Sequence, residues 1–185
     1  DPDTLPSDGL AKAIREGLER EGRDLAMYPP PQGHEGMREL IAQNLSERRG
    51  IDGGVDSVFL SLGAGGAIQC ILDAFIEPDD IVCGSPQIAF LYGLCAYMTD
   101  TMRFGASVIL VDRATPEILL QTIERYRATV CFSTPTGYQM MLERIGDYDI
   151  SSLRVCVAGG EPLVAAVYRQ WREKTGVRII NGLGI

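Results

Sequence analysis

Along the first fifty residues, apolar side chains recur at helical spacing. Leu10, Ile14 and Leu18 form one set; Met37, Leu40, Ile41 and Leu45 form another. Steps of three and four residues place each set on one helix face, so two amphipathic helices are predicted. Ser7 caps the first, which runs to about Glu21 and ends at Gly22. The second starts near Glu35 and stops at Gly50. Between them, Tyr28-Pro29-Pro30-Pro31-Gln32-Gly33 lacks the backbone donors of a helix or an inner strand, and an extended loop is expected.

From Asp56 onward, short apolar runs alternate with helical-period segments. Residues 56–61 read as a strand, Gly63-Ala64-Gly65-Gly66 as a turn and 67–76 as a helix. Residues 81–84 are a strand, and 87–100 a helix with Phe90, Leu91, Leu94 and Met98 facing inward. A buried strand follows at 106–111. Thr115-Pro116-Glu117 then gives the cap, proline and acid that open a helix to Arg127. Residues 130–132 are a strand, and Pro135 opens a helix carrying Tyr138, Met141, Leu142 and Ile145.

The last repeat spans 149–184. A strand at 153–157 meets Ala158-Gly159-Gly160, and Glu161-Pro162 opens a helix with Leu163, Val167 and Trp171 on one side. Thr175-Gly176 closes it, and a strand at 177–180 ends in Asn181-Gly182-Leu183-Gly184. Repeated βα units of this length predict an α/β fold: a mostly parallel sheet with helices on both faces, preceded by an N-terminal helical segment. Right-handed crossovers bring the two late Gly-rich turns to the carboxyl ends of neighbouring strands, where open sheets bind ligands. Free of side-chain bulk, such a pair admits a flat group such as a purine. The competing reading is that these glycines only shape tight turns. The same alternatives hold for Gly63 to Gly66, whose strand–turn–helix setting would present backbone N–H groups to a phosphate.

The motifs SPQIAFLYGL, FGASVILVDRATPE, TVCFSTPTGYQMML, YDISSLRVCVAGGEPL and TGVRIINGLG, spread over residues 78–185, resemble the adenylate-forming acyl-CoA synthetases of the benzoate- and 2-aminobenzoate-CoA ligase type. The resemblance implies ATP or AMP with Mg, CoA and an aryl acid. It assigns Gly159, Gly160, Glu161 and Pro162 to one side of the adenine, and Asn181, Gly182, Leu183 and Gly184 to the other. It places Phe90, Tyr92 and Gly93 in the acyl pocket and Thr134 at its edge. On spacing alone, the aromatics are equally core residues, Thr134 a helix cap and Glu161 a surface acid. The family's segment continues into Thr-Glu beside phosphate and magnesium, but Ile185 stands where that Thr is expected. Its phosphate loop and the lysine of its carboxyl-terminal lid have no counterpart in the chain, so no catalytic residue is assigned and turnover by these residues alone is not expected.

The front part resembles a second family. LAMYPPPQGHEGMRELIAQNLSERRGI and DSVFLSLGAGGAIQCILDAFI look like the amino-terminal region of fold-type I pyridoxal-phosphate aminotransferases, nearest the alanine aminotransferase-like branch. That resemblance implies pyridoxal phosphate, with Gly63, Ala64, Gly65 and Gly66 at its phosphate. The cofactor needs a lysine, yet the only lysines, Lys12 and Lys174, stand outside the family's lysine context. The resemblances meet near Glu77 to Asp80. Two regions are expected, 1–78 and 79–185, without a linker and able to share one sheet; the chain reads as chimeric or as a fragment. Asp79-Asp80 reads as a solvated turn rather than a catalytic pair.

Composition narrows the partners. The 185 residues carry a net charge of −8, which opposes binding to nucleic acid. The most apolar stretch, 81–98, is interrupted by Ser85-Pro86-Gln87 and Gly93, so no membrane span is expected. The scattered Cys70, Cys83, Cys95, Cys131 and Cys156 lack metal-ligand spacing and suit a reducing, cytoplasmic setting. With His34 the only histidine, neither a His-based zinc site nor a Ser-His-Asp set is available.

Overall fold

The computed structural model describes residues 6–182. The chain forms two compact units divided after Leu60.

The first unit contains α1 (Ser7–Glu21) and α2 (Glu35–Arg49). Gly22 ends α1 at φ +53°, and Gly50 ends α2 in the left-handed region, where a side chain would strain the backbone. Arg38 is the one buried side chain among the unit's described residues. Its Nε donates to the Gly33 carbonyl at 3.2 Å and its Nη1 to the Val55 carbonyl at 3.0 Å. The Pro-rich loop is thereby pinned from α2. The predicted apolar faces are not covered: Leu10, Ile14, Leu18, Met37 and Leu40 are all exposed. Residues 56–61 do not pair as a strand; a 3-10 turn at Val55–Ser57 occupies their start.

The second unit begins with α3 (Gly63–Phe75), so the predicted Gly63 turn is already the first helical turn. Five parallel strands follow: β1 (Ile81–Gly84), β2 (Ser107–Val108), β3 (Val130–Ser133), β4 (Val155–Ala158) and β5 (Ile179–Asn181). Their order is β2-β1-β3-β4-β5. The order reverses beside β1, which creates a crevice at the strands' carboxyl ends.

Side chains alternate across the sheet. Cys83, Cys131, Cys156 and Ile179 face α6 (Pro116–Tyr126), α7 (Pro135–Leu142) and α8 (Ala165–Thr175). Val82, Val130, Phe132, Val155 and Val157 face α3 and the 92–97 region. The fully buried Trp171 meets Tyr138 edge-on, with ring centroids 4.7 Å apart. The Tyr138 hydroxyl donates to the carbonyls of Cys131 (2.7 Å) and Val157 (3.1 Å), satisfying a group that burial would otherwise penalise. Thr115 and Thr134 cap α6 and α7 as side-chain acceptors, each followed by Pro in the first turn.

Further expectations are corrected in this unit. The helix at 87–100 is broken into α4 (Leu91–Leu94), a π turn at Cys95–Thr99 and α5 (Asp100–Arg103). Its buried residues are Gly93, Ala96 and Tyr97, whereas Phe90, Leu91, Leu94 and Met98 are exposed. Both faces of this segment are apolar, so periodicity did not identify the inner one. At 106–111 only two residues pair, because β2 is an edge strand with a single neighbour. Helix α8 starts at Ala165; Glu161 and Pro162 belong to the preceding turn.

Asp80 is no solvated turn residue, being 3% exposed. It accepts from Arg154 Nε (2.8 Å), Arg154 Nη2, Thr129 Oγ1 (2.6 Å) and the Glu77 amide (2.7 Å). This clasp ties the chain after α3 to the leading ends of β1 and β4. Burial alone would raise the Asp80 carboxyl, but bonds from Arg154, Thr129 and Glu77 hold it below its ordinary value.

Candidate functional site

At the carboxyl ends of β4 and β5 lies a cavity of about 480 Å³. Ala158 and Asn181 are register partners, so the turns that follow them start side by side. The Gly182 amide donates to the Ala158 carbonyl at 2.7 Å, tying one turn to the other. Gly159, Gly160, Asn181 and Gly182 all line the cavity. The neighbouring Leu183 and Gly184 lie outside the described residues.

The two glycines of the first turn serve different purposes. A Cβ on Gly159 would stand 3.1 Å from the Tyr92 ring, so the missing side chain lets that ring approach the turn. Gly160 has φ +87° with open space beside it, a backbone state that side-chained residues rarely adopt. Tyr92 is fixed from below, its ring edge-on to Phe132 at 6.0 Å and its hydroxyl 3.4 Å from the Val157 carbonyl. Burial is the first cause, and Cys131 the second, of a phenol pKa well above the usual range, so Tyr92 stays neutral.

Phe90 and Leu91 form a second side of the cavity, and Phe132, Val157 and Ala158 contribute from the sheet. Ala67, Ile68, Ile71 and Leu72 of α3 complete it. Sequence reasoning missed the α3 wall. The sequence marked 67–76 only as a helix, and packing alone shows that Ile68, Ile71 and Leu72 border a cavity.

Of the anticipated acyl-site residues, the structure brings Phe90 and Tyr92 to the cavity. Gly93 is instead buried against the Gln87 backbone, where a Cβ would collide with the carbonyl group. Thr134 accepts the Gly137 amide at 3.0 Å as a cap and does not line the cavity. Glu161 accepts from Thr136 Oγ1 at 2.6 Å, which ties its turn to α7; it and Pro162 are not lining residues.

Gly63, Ala64, Gly65 and Gly66 lie on the first turn of α3, and Gly63, Gly65 and Gly66 are outside this lining. Lys174 Nζ donates to the Leu142 carbonyl on the sheet face opposite α3, and Lys12 pairs with Glu16 in α1. Lys174 therefore does not meet this turn as a Schiff-base partner, and the residues of the second unit do not fit pyridoxal phosphate. Among the described residues no three His, Cys, Asp or Glu side chains converge as metal ligands. Among the same residues no helix is long and apolar enough to cross a membrane.

Comparison with known proteins matches two families. The family described as AMP-binding enzyme matches residues 61–185, and aminotransferase class I and II matches residues 1–88. The chain is 37% identical over 114 residues to a 4-hydroxybenzoate–CoA/benzoate–CoA ligase of Rhodopseudomonas palustris, covering 57% of this chain and 20% of that protein. It is 42% identical over 112 residues to the human mitochondrial acyl-coenzyme A synthetase ACSM3, covering 59% and 19%. The chain thus spans about a fifth of the length of these relatives. Among solved structures, the anthranilate CoA ligase AuaEII in complex with anthranoyl-AMP aligns at TM-score 0.58 and 30% identity, over 63% of this chain and 24% of that one. A benzoate CoA ligase from Burkholderia xenovorans LB400 aligns at TM-score 0.54 and 28% identity, over 59% and 23%.

Proposed function

The chain belongs to the AMP-binding enzyme family, and from that premise we propose that its second unit is the nucleotide- and acid-binding core of an aryl- or acyl-CoA ligase. The supporting observation is that the two Gly-bearing turns after β4 and β5 share one cavity with Phe90 and Tyr92. In this reading, Gly159, Gly160, Asn181 and Gly182 flank the adenosine of AMP, with Leu183 and Gly184 continuing the second side. Tyr92, neutral and packed on Gly159, separates the nucleotide from the acid held near Phe90.

The reaction class is adenylation of a carboxylate by ATP with release of pyrophosphate, followed by displacement of AMP by the thiol of CoA. The residues of this chain bind and orient. Neither lysine lines the cavity, so in this reading neutralising the transferring phosphates falls to groups outside the described lining. Accordingly, no pyrophosphate–ATP exchange is expected from the 185 residues by themselves. Robust exchange with benzoate or 2-aminobenzoate would overturn that part of the reading. Titration calorimetry with AMP tests the binding part: saturable binding is expected and should be lost in Gly159→Val. No detectable AMP binding by a folded chain would refute it.

A further inference from the structure

Residues 159–164 join β4 to α8 without regular structure, and they begin with the first Gly-bearing turn of the cavity. The start of this segment is held by backbone: the Gly159 amide donates to the Ser133 carbonyl at 3.2 Å. Beyond it, among the described residues, 160–163 make a single hydrogen bond, which Glu161 Oε2 accepts from Thr136 Oγ1 at 2.6 Å. Gly160 lies between these two anchors at φ +87°, with open space where a side chain would stand. A glycine so placed samples many backbone states unless its neighbours are tied down. Thr136 is suited to tie them. It sits in the first turn of α7, where Thr134 already serves as the cap, so its own hydroxyl is not needed at the helix end. Helix α7 is in turn fixed to the sheet by Tyr138, whose hydroxyl bonds the Cys131 and Val157 carbonyls at 2.7 and 3.1 Å.

We propose that Thr136 is a positioning residue for nucleotide binding: through Glu161 it holds the Gly159–Gly160 turn in the shape that borders the cavity. The proposal rests on the reading of that turn as one side of the adenosine site. Glu161 then acts without touching the nucleotide, in keeping with its absence from the cavity lining. The bond is exposed, so water replaces it at little cost to global stability. Its effect is on order. Without it, AMP must itself fix the turn on binding, and freezing the backbone of one residue weakens affinity by about fivefold to tenfold.

The test uses the full chain, labelled with nitrogen-15, and AMP as the ligand. Thr136→Val should lower the heteronuclear NOE of the Gly160 amide, the signature of faster backbone motion, and weaken AMP by about fivefold to tenfold. Its urea midpoint should stay within about 0.5 M of the parent's. Thr136→Ser keeps the hydroxyl and should restore both the Gly160 signal and the affinity. Glu161→Ala should match Thr136→Val, and the double variant should bind no more weakly than either single one. A further loss in the double variant would mean that Glu161 contacts AMP directly and would overturn the proposal. So would a Thr136→Val chain with unchanged affinity or an unchanged Gly160 signal, or a larger fall in its midpoint, which would make Thr136 a residue of general stability. If the parent chain binds no AMP, the proposed function falls by itself, and Gly160 motion in the free variants decides whether Thr136 holds the turn.

Discussion

Removing the Asp80 carboxylate is expected to cost the second unit a large share of its stability. Asp80 accepts four hydrogen bonds, two of them from Arg154. Alanine at this position would remove all four bonds and leave Arg154 with the Phe75 carbonyl and a 3.7 Å approach to Glu77. Removing one partner of a buried ion pair costs about 3–5 kcal/mol. The Arg154 side chain is 32% exposed and would be partly rehydrated, so the low end applies, roughly 3 kcal/mol for Asp80→Ala and about 2 kcal/mol for Asp80→Asn. Trp171, the only tryptophan and fully buried in this unit, gives the readout by fluorescence in urea. With a urea dependence of about 2 kcal/mol per molar, the Asp80→Ala midpoint should fall by about 1.5 M. Arg154→Gln combined with Asp80→Asn should show a coupling above about 1 kcal/mol in a double-mutant cycle. A midpoint shift below about 0.25 M, or additive effects, would show that the clasp is no stronger than a surface ion pair.

Other expectations rest on different contacts. Because Asp80 has a lowered pKa in the folded chain, its stabilisation is complete above the ordinary value of 3.8 and is lost as pH falls through the folded value. Urea midpoints of the parent chain should therefore drop more steeply below pH 4 than those of Asp80→Asn; parallel curves would refute this. Asp149, held down to about 2 by Ser151 and then Arg127, has the same sign, with stabilisation lost between pH 3.8 and 2 and abolished in Asp149→Asn. Tyr138→Phe removes the hydroxyl that bonds two buried carbonyls and should cost about 1–2 kcal/mol, seen as a melting temperature lower by roughly 3–6 °C. In a thiol titration, exposed Cys70 and half-buried Cys95 should react in the folded chain, and Cys83, Cys131 and Cys156 only with unfolding. Prompt reaction of all five would contradict the packed sheet.

The sequence alone determined the layered α/β class, because βα alternation leaves a parallel sheet few other ways to bury its apolar runs. Caps at Thr115 and Thr134 and the stop at Gly176 were also readable, since each depends on a few adjacent residues. Packing alone decided which side of an apolar segment faces inward: at 90–98, Tyr97 is buried and Phe90 exposed although both suit a core. It also decided the fate of polar residues whose partners are distant in the chain. Asp80 looked like a turn acid until Arg154, 74 positions away, closed on it. The cavity divides in the same way. Its glycine turns were local signals, whereas the α3 wall and the exclusion of Gly93 and Thr134 from the lining depend on how separate elements approach, which no short-range pattern records.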